Sequence, residues 1–127
     1  MAGPADEQLR NLLGPRSHLS PNIPWWIMRY LTLTADYTES PLRDDFTGSL
    51  VPEEVGVPWE LGDRLRSWND RYRAVIPLGP DERNQADVLK LISELDTEGL
   101  GLVSEVAAAV GDAKIRYFSE GHLRYLS

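Results

Sequence analysis

The side chains of this sequence that could do chemistry are two histidines and several adjacent acids. His18 and His122 could each act as a general acid or base near neutral pH, but neither has a histidine or carboxylate at a ligand-like helical spacing. Asp44-Asp45 and Glu53-Glu54 could offer oxygens to Ca²⁺ or Mg²⁺, but the alternating acids and central glycine of a calcium loop are absent. These patterns predict no catalytic residue, no cofactor and no metal site.

The glycine-rich segment 99–104 superficially resembles a phosphate-binding loop. It follows no predicted strand, lacks the Lys-Ser/Thr ending and lies within a helical apolar stripe, so it does not predict nucleotide binding. We expect Gly99 and Gly101 to mark a kink or the close packing of another element. No serine lies in a nucleophile-elbow pattern.

Negative charge is concentrated in residues 36–63. This stretch holds eight acids and one base, whereas the other residues hold twelve of each, so it accounts for the whole formal charge of −7. A field of one sign attracts cationic partners and repels nucleic acid and anionic membranes. The basic patch Lys114, Arg116 and Arg124 on the terminal strands could also meet this stretch.

Tryptophans flank or lie within the acidic stretch, and interfaces favour tryptophan because it joins a large apolar body to one polar group. Trp25 and Trp59 are therefore candidate exposed anchors. We predict that the following residues bind a basic surface of another protein: Asp36, Glu39, Asp44, Asp45, Glu53, Glu54 and Trp59.

The apolar periods predict the elements that must position these side chains. Residues 1–24 predict a short helix and a connector, and a period of two over 27–37 predicts a strand with one buried face. Residues 36–58, with three prolines and two glycines, predict an acidic loop in which Phe46–Val51 could form an edge strand beside the first strand.

Helical periods follow the acidic loop. A helix over 59–75 is predicted by one apolar stripe, and a second stripe that crosses the two glycines predicts helices over 82–97 and 99–110, or a kink between them. Alternation over 113–118 and 122–126 predicts a terminal hairpin with a glycine closing its loop. The chain is therefore predicted to be a single α+β domain, 1–127, with a small mixed sheet packed against two or three helices.

Composition bears on the number of domains and on the cellular location of the protein. The chain has 127 residues, 42% of them apolar and none of them cysteine, which suits one domain without disulfides. It has no signal-peptide pattern and no apolar run of the roughly 18 residues that a membrane span needs. We expect a cytoplasmic protein that binds neither membranes nor nucleic acid.

The order of several segments resembles that of a known group of proteins. Ala35-Asp36-Tyr37-x-x-Ser40-Pro41-Leu42 precedes an acidic loop with glycines, the segment Leu65–Tyr72, a long helix ending at Gly111 and a basic strand. Over about residues 30–118 this order is similar to that of small bacterial accessory or immunity-type proteins found in toxin neighbourhoods. Asn69 and Tyr72 match the Trp-Asn-x-x-Tyr pattern of that group, and the resemblance supplies no catalytic residue.

Three hypotheses follow from these observations. The first is a non-enzymatic, immunity-like protein whose acidic stretch occludes or escorts a basic site on a partner protein. The second is a small-molecule-binding or catalytic domain with a pocket lined by Trp59, Trp68 and Tyr117, in which Asp36 acts. The third is a homodimer that pairs through the edge of the terminal hairpin. The acidic stretch could also serve only as a solubilising loop.

Overall fold

The structure is a computed structural model that describes residues 28–127. The predicted N-terminal helix and connector, His18 and Trp25 lie outside the described residues. Five strands are present within them: β1 Arg29–Leu33, β2 Leu42–Asp44, β3 Gly48–Ser49, β4 Ala113–Ser119 and β5 Arg124–Tyr125.

The strands form one mixed sheet in the order β3-β2-β1-β4-β5. β1 and β4 are parallel, with Leu33 opposite Tyr117, and the other neighbours are antiparallel. The long connection between β1 and β4 permits this parallel pairing, because it contains the helices that cross back over the sheet. The predicted mixed sheet is thereby confirmed, including the antiparallel C-terminal strand.

The acidic segment 36–58 contains regular structure. The neighbour of β1 is β2, and β3 pairs with β2, so the edge strand expected over Phe46–Val51 is shorter and lies one position further out in the sheet. A 3₁₀ helix, Pro52–Val55, follows β3. Gly48 and Gly56 have φ angles of 94° and 103°, which glycine adopts without steric cost, and they allow the turns on either side of this helix.

Three α-helices complete the domain: α1 Trp59–Tyr72, α2 Pro80–Arg83 and α3 Ala86–Val110. The predicted stripe of α1 is buried against the sheet and α3, and it includes Leu65, Trp68 and Tyr72 with no exposed surface. These side chains join Leu31 and Leu33 of β1 in one core. None of the helices within residues 28–127 is long and apolar enough to span a membrane.

Helix α3 is continuous, so the division into helices 82–97 and 99–110 is wrong. Gly99 lies on the buried face of α3, where a side chain would collide with the ring of Tyr117, whereas Gly101 faces open space. Close packing therefore explains Gly99, and the helix tolerates both glycines without breaking because its buried stripe continues on either side of them.

The terminal hairpin has a longer loop than predicted, because β4 ends at Ser119 and β5 begins at Arg124. The residue with positive φ in this loop is Leu123, at 55°, and not Gly121. Gly121 is required for space, since a Cβ there would lie 2.8 Å from the hydroxyl of Tyr72.

Candidate protein-binding surface

The sheet has one face toward the helices and one away from them. Side chains alternate along a strand, so Thr32 and its cross-strand neighbours Arg43 and Arg116 lie on the face opposite Leu31 and Leu33. A groove of about 480 Å³ lies on this face, and we call it the sheet groove. Its lining includes three of the predicted partner-binding residues: Asp36, Asp44 and Asp45.

Two of these acids fix turns at the ends of strands. Asp36 Oδ1 accepts hydrogen bonds from the amides of Thr38 at 2.9 Å and Glu39 at 2.8 Å. Asp44 Oδ1 accepts in the same way from the amide of Phe46 at 2.8 Å. Such local bonds explain why aspartate occupies turn positions, and each leaves the second carboxylate oxygen available to a partner.

Asp45 is held within the sheet. Thr32 donates its hydroxyl to Asp45 Oδ1 at 2.7 Å, and Arg116 Nη2 lies 3.6 Å from Asp45 Oδ2. The Arg116 guanidinium also lies over the ring of Tyr125, 4.2 Å from its centroid. The basic terminal strand thus meets the acidic stretch, as the sequence suggested, and the sheet groove carries charges of both signs instead of one.

The remaining predicted residues lie away from the sheet groove. Glu53 accepts two hydrogen bonds from the guanidinium of Arg66, which lowers the pKa of Glu53 below its ordinary value. Glu39 lines a different groove, beside α1. Glu54, in the 3₁₀ helix, and Trp59, at the start of α1, are exposed. The structure therefore brings together only part of the predicted set.

Ion pairs within residues 28–127 neutralise only three of the eight acids in 36–63. Arg116 pairs with Asp45, and Arg66 pairs with Glu53 and Asp63. The other five of the eight acids form no ion pair with any residue in the described range: Asp36, Glu39, Asp44, Glu54 and Glu60.

Large apolar side chains are exposed in the same stretch. Phe46 is 83% exposed and Trp59 is 67% exposed, and Tyr37 and Val51 are also exposed. The ring of Tyr30 supports that of Phe46 from the edge, with centroids 6.2 Å apart. Exposed aromatic side chains beside unpaired carboxylates are the combination that protein interfaces use for anchoring and steering.

The aromatic pocket predicted from Trp59, Trp68 and Tyr117 does not form. Trp68 and Tyr117 are fully buried, their ring centroids are 6.0 Å apart, and they fill the core. Trp59, at the first turn of α1, points out to solvent. The amphipathic pattern identifies buried residues correctly, but it does not distinguish a filled core from the wall of a cleft.

A buried polar cluster around Asp96 is absent from the sequence predictions. Asp96 Oδ1 accepts hydrogen bonds from the hydroxyls of Tyr117 at 2.6 Å and Tyr72 at 2.8 Å, and Oδ2 accepts one from Ser119 at 2.7 Å. The one sequence signal is an acid on the apolar stripe of α3, four residues after Ile92.

The Asp96 cluster joins α1, α3 and β4 through hydrogen bonds. The Tyr72 hydroxyl accepts a hydrogen bond from the amide of Gly121, and burial raises the pKa of Tyr72 to about 12. His122 Nε2 lies 4.0 Å from Asp96 Oδ2, while Ser119 donates to the carboxylate and not to the imidazole. Within residues 28–127, no three histidine or acidic side chains converge in a way that could hold a metal ion.

The chain was compared with curated proteins and with models of protein families. No curated protein matches the chain. The model of the family described as Serratia CdiI immunity protein-like matches residues 29–120, which begin at β1 and end one residue after β4. The match covers the strands β1 to β4, the helices α1, α2 and α3, and the Asp96 cluster except Gly121 and His122. The chain therefore belongs to the Serratia CdiI immunity protein-like family.

Proposed function

We propose that this chain is a non-enzymatic immunity protein that binds a toxin through residues 36–63 and blocks a basic site on it. The family supports binding to a toxin protein. The observation that carries the choice of surface is that one stretch of chain holds exposed Phe46 and Trp59 together with five carboxylates that form no ion pair within residues 28–127.

The proposed mechanism is occlusion. Opposite charge accelerates the encounter of the two proteins, and this effect weakens as salt screens the charges. Phe46 and Trp59 then lose their exposed apolar area against the toxin, which slows dissociation. The bound protein prevents access to the basic site without any chemical step.

Charge reversal tests this surface directly. The double variant Glu39→Lys/Glu54→Lys changes two acids whose side chains form no hydrogen bond or ion pair within residues 28–127. Its matched control is Asp81→Lys/Glu94→Lys, which changes the net charge equally at exposed positions outside the acidic stretch. The probe is the partner toxin, identified by pull-down with this chain from the native cell and purified with an inactivating substitution.

The expected result is a slower association rate for Glu39→Lys/Glu54→Lys than for the control, with a weaker dependence on salt. Phe46→Ala is expected to accelerate dissociation instead. Growth of cells that express the active toxin should be restored by the wild-type chain and less so by these variants. Equal association rates for both double variants, together with unchanged dissociation for Phe46→Ala, would remove residues 36–63 from the interface.

Two further expectations accompany this proposal. The exposed edge strand β5 offers unpaired backbone groups through which two copies could pair as a homodimer. Light scattering at two protein concentrations tests that pairing. The absence of cysteine in the sequence favours a cytoplasmic location, which fractionation of the native cell would test.

A further inference from the structure

A second groove lies between the segment 39–41, the 3₁₀ helix and α1. Its volume is about 290 Å³, near the lower end of the roughly 300–1,000 Å³ typical of ligand clefts. One wall is apolar and contains Pro41, Val51 and Pro52, and the opposite wall belongs to α1 and contains Asn69. We call it the Asn69 groove.

The side chain of Asn69 has one satisfied end and one free end. Only 3% of Asn69 is exposed, and its Oδ1 accepts a hydrogen bond from the amide of Asp36 at 2.8 Å. A backbone N–H can only donate, so this bond fixes the orientation of the side-chain amide. The Nδ2 group therefore points the other way, and it donates to no residue within the described range 28–127.

Asn69 lies at the wall of the Asn69 groove. Among the side-chain nitrogens and oxygens of residues 28–127, only Thr34 Oγ1 is both inaccessible and without a hydrogen bond, so Asn69 Nδ2 is not an orphaned donor sealed in the core. A buried amide that presents two donors to a groove is suited to a ligand with a hydrogen-bond acceptor.

The charges around the groove define the rest of the ligand. Arg66 is held by Glu53 and Asp63, and Arg73 Nη1 lies 3.2 Å from Asp70, so the cations of the groove already have partners. Glu39 is the lining carboxylate that forms no ion pair within residues 28–127. The groove is therefore complementary to a neutral acceptor beside Asn69 and a cation beside Glu39.

We infer that the Asn69 groove binds an extended segment of the toxin, whose main-chain carbonyl accepts a hydrogen bond from Asn69 Nδ2 and whose basic side chain pairs with Glu39. This inference rests on the proposed function and places the toxin backbone between part of residues 36–63 and Asn69 of α1. The apolar wall of Pro41, Val51 and Pro52 contacts the remainder of the segment.

Asn69→Asp tests the donor group of the side chain separately from its acceptor. The aspartate keeps an acceptor for the amide of Asp36 but replaces both donors with an acceptor that repels a carbonyl oxygen. Binding of the purified, inactivated toxin is expected to weaken about tenfold or more, since a buried acceptor would lose its partner. In the wild-type complex, the Asn69 side-chain amide signals in a ¹⁵N–¹H spectrum should shift and exchange more slowly with solvent.

Val51→Arg blocks the same groove without altering Asn69, and its side chain is half exposed in the free protein. Leu100→Arg, on the exposed side of α3, is the matched control. The inference predicts a loss of affinity for Val51→Arg only, with all three variants folded by circular dichroism. If Asn69→Asp fails to fold, the affinity of Val51→Arg and the Asn69 amide signals of the wild-type complex test the inference.

These measurements distinguish a failure of the groove inference from a failure of the proposed function. If Val51→Arg and folded Asn69→Asp both bind the toxin within twofold of wild type while Phe46→Ala and Glu39→Lys/Glu54→Lys weaken binding, the groove inference is wrong and the proposed function stands. If the wild-type chain binds no toxin, both are wrong.

Discussion

The ring of Tyr117 lies directly on Gly99, at the point where β4 crosses α3. A Cβ built on Gly99 would lie 2.7 Å from both Cζ and the hydroxyl oxygen of Tyr117. The ring has no room to move, because it is fully buried and its hydroxyl donates to Asp96 at 2.6 Å. The absence of a side chain at Gly99 therefore allows β4 and α3 to pack this closely.

Gly99→Ala should consequently destabilise the protein. Alanine favours a helix by about 1 kcal/mol over glycine, but the collision with Tyr117 costs about 1–3 kcal/mol or more and outweighs it. Gly101→Ala is the matched control, since nothing lies within 4 Å of its Cβ, and it should stabilise the helix by up to about 1 kcal/mol. Urea unfolding would show opposite shifts of midpoint, and shifts of the same sign would contradict this packing.

The same pair of glycines illustrates how far the sequence predicts the fold. Sequence pattern and chain length predicted the buried stripe of α1, the mixed sheet, and close packing by another element as one of two explanations for the glycines. They could not show that Gly99 is covered while Gly101 is open, since that distinction depends on the register of β4 against α3.

The candidate surface was predictable in composition but not in arrangement. Charge counting located the acids, yet it could not show that Arg66 neutralises Glu53 or that Arg116 reaches Asp45. The sequence also could not predict that Asn69 Nδ2 lacks a partner within residues 28–127. This depends on the backbone N–H of Asp36, which donates to Oδ1 of the Asn69 side chain.

The Asp96 carboxylate should be among the most sensitive positions for stability. Asp96→Ala removes the acceptor of three buried hydroxyls, and each orphaned hydroxyl costs about 1–3 kcal/mol, so a loss of about 3 kcal/mol or more is expected. Asp96→Asn keeps the oxygen that serves both tyrosines and should lose less. Chemical unfolding of the two variants would measure the difference, and equal losses would show that the tyrosine bonds contribute little.

Alkaline pH should weaken the fold through Tyr72. Burial raises the pKa of its hydroxyl from 10.0 to about 12, so the unfolded chain loses this proton before the folded chain does. The resulting stabilisation is fully present below pH 10 and is lost as the pH rises from 10 through 12.

Tyr72→Phe removes this titration. The variant should be less stable than wild type at pH 8, because it loses the hydrogen bonds to Asp96 and Gly121, but its stability should fall less steeply above pH 10. With one pKa unit worth about 1.4 kcal/mol, the difference in alkaline loss is about 3 kcal/mol above pH 12 and about 2 kcal/mol at pH 11.5. Urea unfolding between pH 8 and 11.5 would measure it, with Tyr37→Phe, at an exposed position, as the control. Parallel curves for Tyr72→Phe and wild type would exclude Tyr72 as the source.

Acids of the candidate surface that form an ion pair with an arginine should contribute less to the rate of toxin association than acids that form none. Asp44→Asn removes an unpaired charge but keeps the oxygen that accepts from the amide of Phe46, so the turn is preserved. Glu53→Gln removes a charge that Arg66 already offsets, and it leaves the arginine partly unpaired beside Asp63.

Asp44→Asn should therefore slow association with the toxin by a few-fold at low salt and have little effect at high salt, because the lost attraction is screened. Glu53→Gln should slow association less, although both variants lose one negative charge. Stopped-flow association at several salt concentrations, with folding checked by circular dichroism, compares them directly. An equal slowing would mean that net charge alone steers the encounter, whereas a larger effect of Glu53→Gln would contradict the expectation that acids without an ion pair contribute more to association than paired ones.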